Sequence, residues 1–516
     1  MMKVLKYLTI IQLLICLAPG IAEAGDKPTQ NSDKPNLVLI FTDEHNFRTL
    51  GCYRDLLEPD QAFMWGPGNV VETPFIDSIA DNGTLFDSMY ASAPVCTPSR
   101  ASMFTGYFGH QLGMPNNSSK PGDGKYLKAD VTTIAEVLVD AGYMTGYAGK
   151  WHLAENTNKE EFWQPHPVGL PGHNYGFKDN RYMFNGGHDK WKGIDAEGRP
   201  YRADKNSKLI GKDKYGQPVF RDDRSSTVKF TTDWITDRTV EFIDEHKDKP
   251  FFYVVSIPDP HTPDDAREPY GSMYSDMDFE LPRTYGQSVD TDTPSWQQPD
   301  GKATKVLDRV DQYFGMVKCI DDNVGRILGK LREEGILENT IIVFSADHGD
   351  LYGEHSRMNK GTIHEASAKI PFVIAHGEKL KQSLVPRGKV VEEAANTTDW
   401  MPTFLSLMNV DCPDVIGRDL TPLLADNKPD DWNDVTFVKL GFMAAVTSRY
   451  KLHLVQKGDP WFLDVKADPD ERTNLIDRPE YKPVIKRLAW ELKRYMKEAD
   501  DYNPTIDAKL DALING

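Results

Sequence analysis

Cysteine is scarce in this chain: five in 516 residues, at positions 16, 52, 96, 319 and 412. They are scattered, with neither the paired spacing of a zinc finger nor the density of a disulfide scaffold, so neither kind of staple is implied. Whether Cys52 and Cys412 pair is left open. Net positive charge is also missing. Sixty Lys and Arg against 78 Asp and Glu give −18, which argues against a nucleic-acid or anionic-membrane partner. Long apolar runs are absent with one exception, Tyr7 to Ala18, which follows Lys3 and Lys6, contains Gln12 and leads into Ala22-Glu23-Ala24. That run is too short to span a bilayer and has the parts of a secretory signal peptide over residues 1–24. An exported protein, periplasmic or secreted and without a transmembrane segment, is therefore expected. Cys16 makes a poor lipoprotein site, because Ile15 before it is larger than such sites prefer. Cleavage removes two lysines and one glutamate, leaving the chain more acidic by one unit. No internal repeat or low-complexity tract is evident.

What is present is an alternation of strands and helices. Asn36 to Thr42 is an unbroken apolar run of strand length, as expected of a strand covered on both faces, and it ends in Asp43-Glu44-His45. Helical spacing over Val131–Ala141, with Asp130 as cap, precedes a strand from Tyr143 to Ala148 that runs into Gly149-Lys150-Trp151-His152. A helix from about Thr227 to His246 leads to the strand Phe251–Ile257 and then His261. The longest apolar stripe, Val306 to Glu334, is followed by Thr340–Ser345 and Asp347-His348. Residues 155–225 read as irregular surface loops. The pattern predicts an α/β fold with a largely parallel sheet, and ligands in such sheets gather beyond the carboxyl ends of the strands. One ionisable residue after a strand is usually a turn residue. Four such clusters in one sheet are better explained by one shared site.

The stretch from Pro94 to Gly106 reads as a loop entering a helix, with Pro98 in the first turn. Cys96 then sits where backbone N–H groups favour negative charge. Cys96-Thr97-Pro98-Ser99-Arg100, continuing as Ala101-Ser102 and Phe104-Thr105-Gly106, resembles the signature of the type I, formylglycine-dependent sulfatases. Gly149–His152, His261 between prolines, Asp347-His348 and Lys360 match further family segments, and Asp468-Pro469, Glu471 and Asn474-Leu475 match the family's tail. The resemblance implies an alkaline-phosphatase-like fold: a mixed, largely parallel sheet sandwiched by helices over residues 25–430, then a smaller C-terminal antiparallel-sheet-plus-helix domain over 431–516.

Asp43, Asp347 and His348 form a hard, oxygen-dominated donor set that suits Ca²⁺ or, less well, Mg²⁺. The resemblance implies calcium, bound by these residues and by residue 96. Glu44 stands where most members carry a second Asp, and being one methylene longer it either ligates from further back or lies outside the inner shell. The resemblance further implies that a formylglycine-generating maturation enzyme oxidises Cys96 to 3-oxoalanine. The hydrated aldehyde attacks sulfur, releases the alcohol and is left as a sulfate hemiester; its second hydroxyl then loses a proton and expels sulfate. Arg100 eases deprotonation of the nucleophile, His152 is the base, and His261 donates to the leaving oxygen. Lys150 and Lys360, with Arg100, make a basic triangle around the anion. His355 and His364 lie on matching segments as substrate contacts. Trp163, His166, His173, Tyr175, Tyr182, His188 and Trp191 either stack on sugar rings or pin long loops.

Taken singly, Lys150 and Lys360 would be read as solvated surface lysines, and His152 or His261 as satisfied histidines. The reading taken is an exported sulfatase of sulfated polysaccharide or its oligosaccharides. The alternatives are a phosphonate or phosphodiester hydrolase with the same formylglycine site, and a catalytically silent binder of sulfated glycans.

Overall fold

Every residue of Asn36–Asp43, strand β1, is buried. Leu37, Leu39 and Phe41 turn to one core, Val38 and Ile40 to another, so the continuous apolar run is what a strand with two covered faces requires. The computed structural model describes residues 34–119, 122–155, 174–203, 207–214, 216–225, 227–287, 293–377, 385–425 and 428–516. The leader with Cys16, and Trp163, His166 and His173, lie outside the described residues.

Among the described residues, seven more strands join β1: β2 (Gly83–Phe86), β3 (Met144–Lys150), β4 (Asp179–Phe184), β5 (Phe251–Pro260), β6 (Thr340–Ala346), β7 (Phe372–His376) and β8 (Lys389–Val391). Their order is β8-β2-β7-β6-β1-β5-β3-β4. Only β7 pairs antiparallel with its neighbours; β6, β1, β5, β3 and β4 lie side by side and point the same way. Their carboxyl ends therefore open onto one edge. The predicted mixed, largely parallel sheet is present, with helices on both faces.

Helices 96–105, 134–140 and 400–407 pack on one face, and 74–81, 231–246 and 310–333 on the other. Three expected boundaries shift inward. The helix expected from Val131 spans Ile134–Asp140, because Thr133, not Asp130, closes a capping box with Glu136. Those expected from Thr227 and Val306 span Thr231–His246 and Val310–Glu333; Ala303–Lys305 ahead of the latter is a separate turn of 3₁₀ helix.

The loop reading of 155–225 needs correction. Asp179–Phe184 is β4, an edge strand of the main sheet, and Trp191–Ile194, Pro200–Arg202, Lys208–Lys212 and Pro218–Arg221 form small antiparallel ribbons. The physical reason is that edge strands need only one apolar face; β4 is buried mainly at its ends, so no apolar run marks it.

A four-stranded antiparallel sheet follows: β9 (Thr436–Lys439), β10 (Met443–Val446), β11 (Tyr450–Leu454) and β12 (Trp461–Asp464), in that order. Helices Lys482–Glu498 and Pro504–Asn515 cover it. Its other face meets Tyr90, Trp296, Ile363 and Ala394 of the larger part. Lys451, fully buried at this seam, pairs with Glu365 and Glu471 at 2.6 Å each. Cys52, Cys96, Cys319 and Cys412 are all free, so Cys52 and Cys412 do not pair. Among the described residues no helix is long and apolar enough to cross a membrane.

Candidate active site at the carboxyl edge of the sheet

The helix Cys96–Thr105 starts against the edge onto which β6, β1, β5 and β3 open. Its Arg100 has no exposed surface and ties four chain segments together. Nε donates to Asp347 Oδ2 (2.8 Å), Nη1 to Lys150 O (2.6 Å) and Ser256 Oγ (2.9 Å), and Nη2 faces Asp43 Oδ2 (3.4 Å). The expected basic triangle is thus modified. Lys150 and Lys360 reach Cys96 electrostatically, but the Arg100 guanidinium is spent on protein partners, with Phe41 beneath it at 4.9 Å.

Four ligand atoms converge. Cys96 Sγ lies 3.2 Å from His348 Nε2 and 3.7 Å from Asp43 Oδ1. His348 Nε2 lies 3.6 Å from Asp43 Oδ1 and 3.4 Å from Asp347 Oδ1. Two ligands about 2.4 Å from one Ca²⁺ and at right angles to each other stand roughly 3.4 Å apart, so this spacing fits a hard divalent cation. The electrostatics agree. Burial lifts the Asp43 carboxyl, but Lys150, His261, His188 and Arg100 hold it well below the usual range. Asp347 is pushed up by burial and then by Asp43 beside it. Burial works against a charge on His348, yet Asp347 raises that imidazole to about 9. Two buried carboxylates side by side are the arrangement a divalent ion relieves. The Cys96 thiol, which burial and Asp43 would raise, is held well below its ordinary value by Lys150, Lys360 and His348.

Glu44 is brought to the site but not into that group of ligands. It has φ +62°. Its Oε2 lies 3.0 Å from His261 Nε2 and 3.1 Å from Lys360 Nζ. Burial raises the carboxyl, and the positive charges of His261 and Lys360 overcome this to leave it at about 2. Lys360 in turn is raised, because Cys96 and Glu44 outweigh its burial.

His152 sits with φ +62° directly after Lys150 and Trp151. Its Nε2 donates to Ser118 O at 3.1 Å; a carbonyl can only accept, so the lone pair is on Nδ1. Burial lowers the ring's basicity, against the pull of Cys96 nearby. His261 places Nδ1 2.8 Å from Thr262 O.

His355 and His364 are arranged differently. They stack on each other at 3.8 Å between centroids, and His364 packs against Trp296 at 4.9 Å, toward the C-terminal sheet. Among the described residues, no hydrogen bond or ion pair links either to the Cys96 group. Tyr175, Tyr182 and Trp191 pack against Trp151, Trp234 and Phe220 respectively, so these three pin loops. His188 belongs to the site itself, 3.2 Å from Asp43 Oδ2 and 2.8 Å from Lys150 Nζ. The sequence left His188 between sugar stacking and loop pinning, and Ser256 went unnoticed. The available signals were the Gly186-Gly187 pair before His188, which allows close approach, and the position of Ser256 inside a strand that ends at the site.

Known proteins resemble this chain along most of its length. Residues 35–410 match the family model described as Sulfatase, and 353–498 match that of the N-sulphoglucosamine sulphohydrolase C-terminal region. An arylsulfatase of Clostridium perfringens is 30% identical over 88% of this chain and 93% of its own. An N-acetylglucosamine-6-O-sulfatase of Bacteroides thetaiotaomicron is 25% identical over 98% of this chain and 93% of its own. A structure solved in complex with its substrate D-glucosamine-2-N,6-O-disulfate superposes with a TM-score of 0.67 at 23% identity, covering 92% of this chain and 99% of that one.

Proposed function

This chain belongs to the sulfatase family of sulfuric ester hydrolases, and we propose that it removes sulfate from a sulfated glycan, with residue 96 working as a hydrated formylglycine. The observation that carries this reading is the convergence of Cys96 Sγ, Asp43 Oδ1, Asp347 Oδ1 and His348 Nε2, all buried, within 4.8 Å of one another. The thiol sulfur marks where the attacking oxygen would stand. These four residues would hold Ca²⁺, which when bound supplies positive charge for the sulfuryl oxygens and for the nucleophile.

The chain's own groups supply the rest. Lys150 and Lys360 draw in the sulfate anion and neutralise it. Both lie beside carboxylates, Lys150 against Asp43 and Lys360 against Glu44. Arg100 holds Asp43, Asp347 and the end of β3 in register. His152, with its lone pair on Nδ1, takes the proton of the residue-96 hydroxyl. His261 gives a proton from Nε2 to the leaving alcohol oxygen, and Glu44, outside the ligand set, holds that ring by its Nε2 until substrate arrives. The sugar class follows the relatives that act on glucosamine sulfates. Export would bring the enzyme to such substrates.

Mass spectrometry of the peptide carrying residue 96, from protein made with its maturation enzyme, is expected to find the aldehyde. Desulfation across a panel of N-acetylglucosamine and galactose sulfates, with aryl phosphates and phosphonates alongside, should favour the sulfated sugars. Cys96→Ala should abolish turnover and leave the melting temperature nearly unchanged. Retained turnover in that variant, or preference for the phosphorus esters, overturns the reading.

A further inference from the structure

His188 hangs from a strap that joins Phe184, at the end of β4, to Trp191. The strap is pinned at both ends. Asn185 Nδ2 donates to Ala154 O at 3.0 Å, and Lys190 Nζ donates to Asp259 Oδ1 at 2.5 Å and to His261 O at 3.0 Å. Between the pins, Gly187 has φ +145°, and a Cβ there would stand 3.3 Å from the Cβ of Lys150. Glycine is what lets the strap come down onto β3. The imidazole of His188 then lies flat on that of His261, with 3.6 Å between centroids and 6° between planes.

The hydrogen bonds fix its tautomer. His188 Nε2 faces both Lys150 Nζ at 2.8 Å, which can only donate, and Asp43 Oδ2 at 3.2 Å, which can only accept; the nearer contact, to the ammonium, makes Nε2 the acceptor and puts the ring proton on Nδ1. Lys150 is therefore shared between Asp43 Oδ2 and His188 Nε2, leaving its third proton for an incoming anion. His261 has one nitrogen at Thr262 O and the other at Glu44, so in-plane hydrogen bonds hold its edges while His188 holds its face.

We propose that His188 is the positioning residue of this site: it gives the Lys150 ammonium, already paired with Asp43, a second acceptor that sets its direction, and it fixes the ring plane of His261 at the leaving-group oxygen. The inference rests on the sulfatase reading for the part His261 plays. Without His188 the ammonium keeps Asp43 but loses its second acceptor and its fixed direction, and the His261 ring tilts away from the line of the breaking S–O bond.

The test compares wild type, His188→Ala and His188→Gln on aryl sulfates whose leaving phenols grow less acidic. His188→Ala is expected to lose about tenfold in kcat on 4-nitrophenyl sulfate and about a hundredfold on phenyl sulfate, since help for a poorer leaving group matters more. KM should rise less than threefold. His188→Gln, whose amide oxygen still accepts from Lys150, should recover part of the loss. A loss equal across the series, or none, overturns the proposal, because a merely structural role moves every substrate alike. Should wild type cleave no sulfate ester, the functional reading fails separately. Inorganic sulfate, read by the rise it causes in melting temperature, then still reports on Lys150. Binding weakened about tenfold in His188→Ala supports the positioning role, and unchanged binding ends it.

Discussion

Arg100 shows how one side chain can organise a site without facing solvent. Its planar fork meets Asp347, the carbonyl of Lys150, Ser256 and Asp43. A lysine has one compact head and cannot replace that set. Arg100→Lys should therefore leave Asp347 Oδ2 without its guanidinium partner in a fully buried position, costing about 3 kcal/mol and lowering kcat/KM at least a hundredfold. Urea unfolding and steady-state kinetics on one sulfate ester check both, and a variant of wild-type stability would refute the account. Glu44 carries the converse lesson. A glutamate beside a metal-binding aspartate reads from sequence as a candidate ligand; in the structure its carboxylate goes to His261 and Lys360.

Among the elements, the strand ends are where sequence and geometry meet. β3 ends at Lys150 only because Gly149 precedes it with φ +110°, and a Cβ at 149 would stand 1.8 Å from Ser256 O, in the neighbouring β5. Gly149→Ala must push β3 off β5 or rotate the peptide that aims Lys150. Both the strained φ and the clash destabilise. The expected outcome is a loss of about 2–4 kcal/mol together with near-complete loss of turnover, measured by thermal melting and activity; a soluble, active Gly149→Ala variant would contradict it. The helices were legible where an apolar stripe ran long, as at Val310–Glu333, but their starts were not. Capping depends on which side chain reaches a backbone N–H, and Thr133 won that place over Asp130.

The whole molecule is closed by the seam between the main sheet and the C-terminal sheet. Lys451 there is held between two buried carboxylates, and His355, His364 and His453 lie against Trp296 and each other. Burial, reinforced by nearby cations such as Lys451, drops His355 and His453 to about 3, and burial alone does the same to His45. A histidine with a folded value near 3 and an unfolded value of about 6.5 gains its proton on unfolding throughout that window. The stability it contributes is full above pH 6.5 and drains as pH falls toward 3. Glu471, raised to about 7 by burial, works the other way between about pH 4.5 and 7. The balance is about two protons, roughly 3 kcal/mol per pH unit, between pH 6.5 and 4.5. Urea midpoints should fall steeply across that range, and His453→Leu should flatten the fall; a pH-independent midpoint would rule the account out.

Legible from the chain alone were the α/β class, the strands that end at Asp43 and Lys150 or just before His261 and Asp347, and the motif around Cys96. All of these are local: apolar runs, punctuation and residue type carry them without knowledge of the far chain. It took the folded chain to bury Arg100 among acceptors, turn Glu44 to His261 and Lys360, put His355 and His364 in the seam, and stack His188 within the site. Those outcomes depend on which distant backbone lies beside each side chain. A strap that reaches β3 through a glycine, or an edge strand with one apolar face, leaves no periodic trace for a sequence to show.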